Sequence, residues 1–254
     1  MSIRESIGKG FKITGVSMNL VAILFVFGTV WNLLNIAVAP KTQNPPLSAS
    51  ITLIVLAVIF GLVSIYIQAG SLGYILNRVK SGGAAMSDFT SAGAKFYLRL
   101  LVLGLLVALA AGVLILLAAV AIAATSGNAI AVAAAVLLAL VGIYFAILIF
   151  LAPYIIVADD QKVLAAVKQS IGLVKKNFLK VMGLALILIV IGFGIGMLLG
   201  LLFAAMSAAM KGIASQIIFA VLSSFVNAYL GVVVSGSFMV FYLKLSSNNT
   251  SSAG

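Results

Sequence analysis

The side chains that carry most protein chemistry are scarce in this chain. Its 254 residues include no His, no Cys and only four acids: Glu5, Asp88, Asp159 and Asp160. Lack of His removes the commonest general base, metal ligand and near-neutral proton switch. Lack of Cys removes thiolate nucleophiles, thiolate metal sites and disulfides. Four acids leave little for a carboxylate cage around a metal. No catalytic residue, metal site or cofactor is expected, and the chain reads as a non-enzyme.

What remains is cations and neutral polar groups. There are 15 Lys and Arg residues and a formal net charge of +11. Lys9, Lys12, Lys95, Arg99, Lys168, Lys175, Lys176 and Lys180 cluster in the charged segments between apolar runs. Ammonium and guanidinium groups there suit anionic lipid headgroups or an acidic partner, or they serve membrane orientation alone. The charge does not read as nucleic-acid binding. A second pattern lies near the C-terminus, where Ser223, Asn227, Gly231 and Ser235 fall close to one helical stripe. Such a stripe lines a path for a neutral solute or bonds across packed helices, at about 0.6 to 2 kcal/mol per bond.

The elements that position these groups are set by hydropathy. Hydrophobic residues make up 64% of the chain and charged ones 7%, against roughly 25% charged in soluble domains, so a water-soluble fold is excluded. Uncharged runs cover residues 13–40, 42–77, 100–158, 181–210 and 212–243. A spanning helix takes about 20 apolar residues. The run over 100–158 would be roughly 88 Å long as one helix, so it must fold back, and Thr125-Ser126-Gly127-Asn128 is its turn-like break. The spacing predicts six transmembrane helices near 16–38, 49–70, 99–124, 129–157, 179–207 and 213–243. The fold class is therefore an all-α polytopic bundle, a single membrane domain over 1–245 with a disordered polar tail over 246–254. The first run is too long for a signal-peptide core and no small-residue cleavage site follows it, so it is read as retained.

Thirteen of the 15 basic residues precede the first span or fall between spans two and three, between four and five, or after six; only Lys41 and Lys211 fall on the other side. The positive-inside rule then predicts a multi-pass plasma-membrane protein with both termini cytoplasmic.

Three lead-ins resemble one another. Ser6-Ile7-Gly8-Lys9, Ser91-Ala92-Gly93-Ala94-Lys95 and Ser170-Ile171-Gly172 precede the odd-numbered spans. They suggest a unit of about 80 residues, a short cytoplasmic helix plus a membrane hairpin, repeated three times. In the third, Asp159 or Asp160 is expected to N-cap a helix whose Val163, Leu164, Val167, Ile171 and Val174 share a stripe. That helix is expected along the membrane surface, lysines toward the headgroups. In the second, Asp88 is the expected cap, with Phe89, Ala92 and Phe96 on one face. Such helices either cover the cytoplasmic end of the bundle or form a platform for lipid or a partner.

Gly192, Gly196, Gly200 and Ala204 recur every four residues in the fifth span, a groove that lets another backbone approach, within the chain or in a homo-oligomer. Pro153 is expected to kink or terminate the fourth.

With its basic lead-ins, six spans and the stretch Ala152-Pro153-Tyr154-Ile155-Ile156-Val157-Ala158-Asp159-Asp160, followed by a helix ending Val174-Lys175-Lys176-Asn177-Phe178, the chain resembles the membrane domain attached to some bacterial glycerophosphodiester phosphodiesterases. The resemblance implies a six-helix bundle with re-entrant or interfacial cytoplasmic helices. It carries over no catalysis, because the hydrolase of those proteins is a separate soluble barrel using His and acidic residues. Two functions stand against each other: an accessory or scaffold subunit binding a partner or anionic lipid at its cytoplasmic rim, and a permease or channel for a small neutral or amphiphilic solute.

Overall fold

A computed structural model of the chain describes residues 2–38, 47–124, 128–209 and 212–250. These form nine helices: α1 (Ile3–Gly15), α2 (Met18–Val38), α3 (Leu47–Ser81), α4 (Met86–Ala124), α5 (Ala129–Ile149), α6 (Ala152–Ala158), α7 (Val163–Lys176), α8 (Phe178–Ala209) and α9 (Ile213–Thr250). Six stretches are long and apolar enough to cross a membrane: one each in α2, α3, α4, α8 and α9, and Val132–Ala158, which joins α5 to α6. The protein is an all-helical, multi-pass membrane protein. The loop over 40–46, the turn residues Thr125 to Gly127, Lys211 and residues 251–254 lie outside the described residues.

Local chemistry explains several helix ends. Ser2 caps α1, its Oγ accepting from the Glu5 amide at 3.2 Å, and Glu5 and Lys12 complement the helix dipole at either end. Pro153 breaks the fourth span rather than bending it. α5 stops at Ile149 and α6 restarts at Ala152, because proline has no N–H to give and its ring crowds the preceding turn. The break frees carbonyls at the end of α5. One of them, on Leu148, accepts a 2.8 Å hydrogen bond from the buried Ser170 Oγ of α7.

Four expectations need correction. The second lead-in is not a separate helix: α4 runs unbroken from Met86, since nothing between Phe89 and Leu103 interrupts a stripe of Phe89, Ala92, Phe96, Leu100 and Leu103 that stays buried throughout. Asp88 is its third residue, not its cap, and accepts from the Ala85 amide at 2.7 Å. Neither Asp159 nor Asp160 caps α7. Lys162 holds the N-cap position without a side-chain bond, because both carboxylates are drawn to other helices. Residues 246–250 continue α9 as helix where a disordered tail was expected, since adding turns to a helix already anchored by buried Tyr242 and Leu245 is far easier than starting one.

The core sits at one end. Tyr74 and Ile75 of α3, Leu148 of α5, Leu151 just before α6, Ile155 and Ile156 of α6, Leu184 of α8, and Phe238, Met239 and Tyr242 of α9 are all essentially inaccessible. At the other end Leu109, Ile115, Leu137, Phe193 and Leu198 are exposed, as faces turned toward lipid tails should be. α3, α4 and α9 have 35, 39 and 38 residues, so each is roughly 50–60 Å long and overshoots about 30 Å of hydrocarbon. Their overhanging turns, together with α1, α6 and α7, build the packed end.

Two glycines permit this packing. A Cβ at Gly73 would run into the Ala92 Cβ of α4, and one at Gly10 would meet the Val233 carbonyl of α9 at 2.7 Å and the Ser237 side chain. The α3–α4 and α1–α9 crossings are therefore backbone-close, the geometry small residues allow between membrane helices.

Candidate functional site

The basic segments meet at the packed end. Arg99 of α4 reaches the α6–α7 loop, Gln169 of α7 reaches Tyr242 of α9, and Gly10 of α1 lies against α9. The cations predicted as one rim divide into two groups there.

The first group is engaged within the chain. Lys95 Nζ lies 2.8 Å from Asp160 Oδ2, and Arg99 Nη1 donates to Asp160 Oδ1 at 2.5 Å and to its main-chain carbonyl at 3.0 Å. Asp160 has φ of +55°, a left-handed conformation that Asp tolerates better than most residues. The bond from Lys95, followed by that from Arg99, holds its carboxyl below the usual carboxylate range. Lys9 pairs with Glu5 one turn away at 3.2 Å, and this bond lowers the Glu5 pKa likewise. Lys95 and Arg99 are thus both paired with Asp160, while half of the Lys95 side chain stays exposed.

The remaining acids are also occupied. Asp159 Oδ2 accepts from the Tyr242 hydroxyl at 2.5 Å and from Gln169 Nε2 at 3.1 Å, and Gln169 Nε2 lies 3.3 Å from the same hydroxyl. Asp88 is held by the Ala85 amide. All four carboxylates of the chain are therefore spent on internal contacts. The second group of cations, Lys12, Lys168, Lys175, Lys176 and Lys180, is exposed and has no carboxylate within ion-pair distance among the described residues.

α7 turns Ala166, Ser170, Leu173 and Val174 into the bundle, with Val163, Val167 and Ile171 packed at the margin of the core. Most of its expected apolar stripe thus meets protein. Leu164, 68% exposed, stays outside on the side of Lys168. α7 covers the packed end while presenting Lys168, Lys175 and Lys176 outward.

The polar stripe of α9 is only partly brought together. Ser223 donates to its own helix, at the Ala220 carbonyl, 3.2 Å away. Asn227 lines a groove of ≈ 320 Å³ against α2 with Asn32 and Ser224. Ser235 lines a second, of ≈ 240 Å³, with Ser64, Gln68 and Ser71 of α3. The two grooves share Leu24 and Gly231. A direct bond across helices here runs from Asn32 Nδ2 to Ser224 Oγ, 2.8 Å, a pairing 192 residues apart that helical spacing cannot signal.

The four-residue stripe of α8 is not packed within the chain. A Cβ at Gly192, Gly196 or Gly200 would meet nothing within 4 Å, and Ala204 is exposed. α8 is buried near its start, at Val181, Leu184 and Leu188, and touches α9 again through the tilted ring pair of Phe203 and Phe219. The stripe between faces away from the bundle.

The chain belongs to the family described as "Domain of unknown function (DUF7847)", whose model matches residues 1–245. No curated protein and no solved structure matches it.

Proposed function

We propose that the protein is a non-enzymatic membrane subunit that retains anionic lipid at a cytoplasmic rim formed by Lys168, Lys175, Lys176 and Lys180, serving as an accessory or scaffold component there. One observation carries the reading: all four Asp and Glu side chains are engaged inside the fold, so these exposed lysines have no counter-charge among the described residues. Near an anionic leaflet each contributes on the order of 1 kcal/mol, screened over a Debye length of about 8 Å at physiological salt. The plasma-membrane location, the cytoplasmic placement of both termini and kinship with the membrane domain of the phosphodiesterases are part of this proposal. The test is native mass spectrometry of the detergent-purified chain. Replacing Lys168, Lys175 and Lys176 by Gln should reduce the number of anionic-lipid adducts, weakening binding at the rim by up to ~3 kcal/mol. Equal retention by both forms refutes the rim.

The adjoining grooves along α2, α3 and α9 favour a second reading, a permease for a neutral or amphiphilic solute. They put Asn32, Asn227, Ser64, Gln68, Ser71 and Ser235 along one seam. Reconstituted liposomes test it. Movement of a fluorescent phospholipid between leaflets should depend on the protein and fall when Gly231→Leu obstructs the junction. A rate equal to that of protein-free vesicles rejects it.

A further inference from the structure

A cleft that the rim lysines of α7 do not touch lies between α1, α3 and α9 and encloses ≈ 480 Å³. Lys9, Lys12 and Arg78 line it together with Val16, Val79 and Val240. Arg78 is the unusual member. Its Nη2 donates to the Tyr74 hydroxyl at 2.9 Å and lies 3.4 Å from the Ala84 carbonyl, while Nη1 reaches the Gly82 carbonyl at 3.3 Å. All these acceptors are neutral. Its Nε is buried without any hydrogen-bond partner. A guanidinium whose hydrogen-bond acceptors are all neutral brings an uncompensated charge to the cleft wall. Lys9, the third cation of the lining, is already paired with Glu5. Among the described residues, Lys12 and Arg78 therefore face the cleft without a counter-charge.

We infer that this cleft is a specific site for the phosphate of an anionic phospholipid, held by Arg78 and Lys12, with the first carbons of the acyl chains against Val16, Val79 and Val240. Guanidinium and ammonium groups together suit a phosphate's several acceptor oxygens. The choice of a lipid over free phosphate rests on the apolar half of the lining and on position. Val16 and Met18, 57% and 50% exposed, begin the lipid-facing surface immediately beyond Lys12. The inference rests on the anionic-lipid reading above but uses different residues, so variants of the two residue sets tell their failures apart.

Native mass spectrometry of the full chain in mild detergent tests it, with phosphatidylglycerol, phosphatidylcholine and inorganic phosphate as probes. Phosphatidylglycerol should bind in preference to phosphatidylcholine. Lys12→Glu should weaken one phosphatidylglycerol adduct by about tenfold or more, since it removes one favourable charge and adds a repulsive one. Arg78→Lys, which keeps the charge but loses the planar fork, should weaken the same adduct with the melting temperature checked in parallel. If Lys12→Glu leaves all adducts unchanged while the α7 triple Gln variant removes them, the cleft assignment is overturned and the rim stands. If Lys12→Glu removes an adduct that the triple variant keeps, the cleft stands alone. Displacement of the lipid by millimolar inorganic phosphate would overturn the lipid assignment, since the site would then be one for the free anion.

Discussion

Arg99 of α4 grips Asp160, 61 residues later in the chain, by both its carboxylate, at 2.5 Å, and its main-chain carbonyl, at 3.0 Å. The same carboxylate receives Lys95 at 2.8 Å. Next to it, Asp159 binds Tyr242 of α9 and Gln169 of α7. The two adjacent acids thereby tie α4, α7 and α9 to the short loop after α6. A loop that would otherwise fray becomes a junction, which also explains why Asp160 is kept in the left-handed region.

Asp160→Asn tests that junction. Asn tolerates positive φ as well as Asp does, so the variant removes the charge without disturbing the backbone preference. The folded carboxyl titrates below its ordinary range because of Lys95 and Arg99. Its stabilising contribution is therefore present at and above the unfolded value, about 3.9, and is lost as pH falls through the lowered value. Thermal melts in detergent should show the variant less stable than the parent at pH 7. The two should converge only in strongly acidic buffer. A constant difference across that range would mean the carboxylate acts by shape alone.

Ser170→Ala is expected to lower stability by about 1–3 kcal/mol, because it strands the Leu148 carbonyl that the Pro153 break has freed. Ser170 has no exposure, so water cannot substitute directly. The parallel variant Ser223→Ala, whose hydroxyl only returns to its own helix, should change the melting temperature far less. Similar shifts for both would remove the special status of the Leu148 bond.

Small residues divide in the same way. Gly73→Val places a side chain against the Ala92 Cβ and should cost about 1–3 kcal/mol by overpacking the α3–α4 crossing. Gly196→Leu meets open space and should leave the melting profile of the isolated chain unchanged or slightly raised, since Leu is the better helix former. Loss of fold in the second variant would mean that the α8 stripe is covered in the assembled protein, which size-exclusion with light scattering can verify.

How far these features were visible in the sequence depends on whether their cause is local. The six spans were legible because each apolar run carries its own length signal, and the Pro153 break because proline acts on its own turn. The extension of α3 to Ser81 was not, as it is fixed by packing of Tyr74 and Ile75 and by the fit of Gly73 to α4. Lys95 and Arg99 looked like rim cations because their partner Asp160 is more than 60 residues distant and was assigned to a helix cap. Periodicity exposed the small-residue stripe of α8 but is blind to which neighbour, if any, it faces. The Arg78 cleft gave no sequence signal at all, since its lining converges from three helices.

Sidedness can be read with single cysteines, because the native chain has none. Thirteen of the 15 basic residues lie in the segments on one side of the predicted spans, and the contacts of Arg99, Gln169 and Gly10 gather those segments at the packed end. Moving such a cluster across a membrane is strongly disfavoured, so the packed end is expected in the cytoplasm. Asn128, at the start of α5, and Ser247, near the end of α9, are both exposed and lie at opposite ends. In intact cells a membrane-impermeant maleimide should label Asn128→Cys and leave Ser247→Cys unlabelled until the membrane is opened. Ser247→Cys should then react fully, which also verifies that its silence came from the membrane rather than from burial. Labelling of Ser247→Cys from outside would reverse the topology. It would also place Lys168, Lys175, Lys176 and the Lys12–Arg78 cleft away from the anionic leaflet, so both lipid sites would lose their physical basis at once.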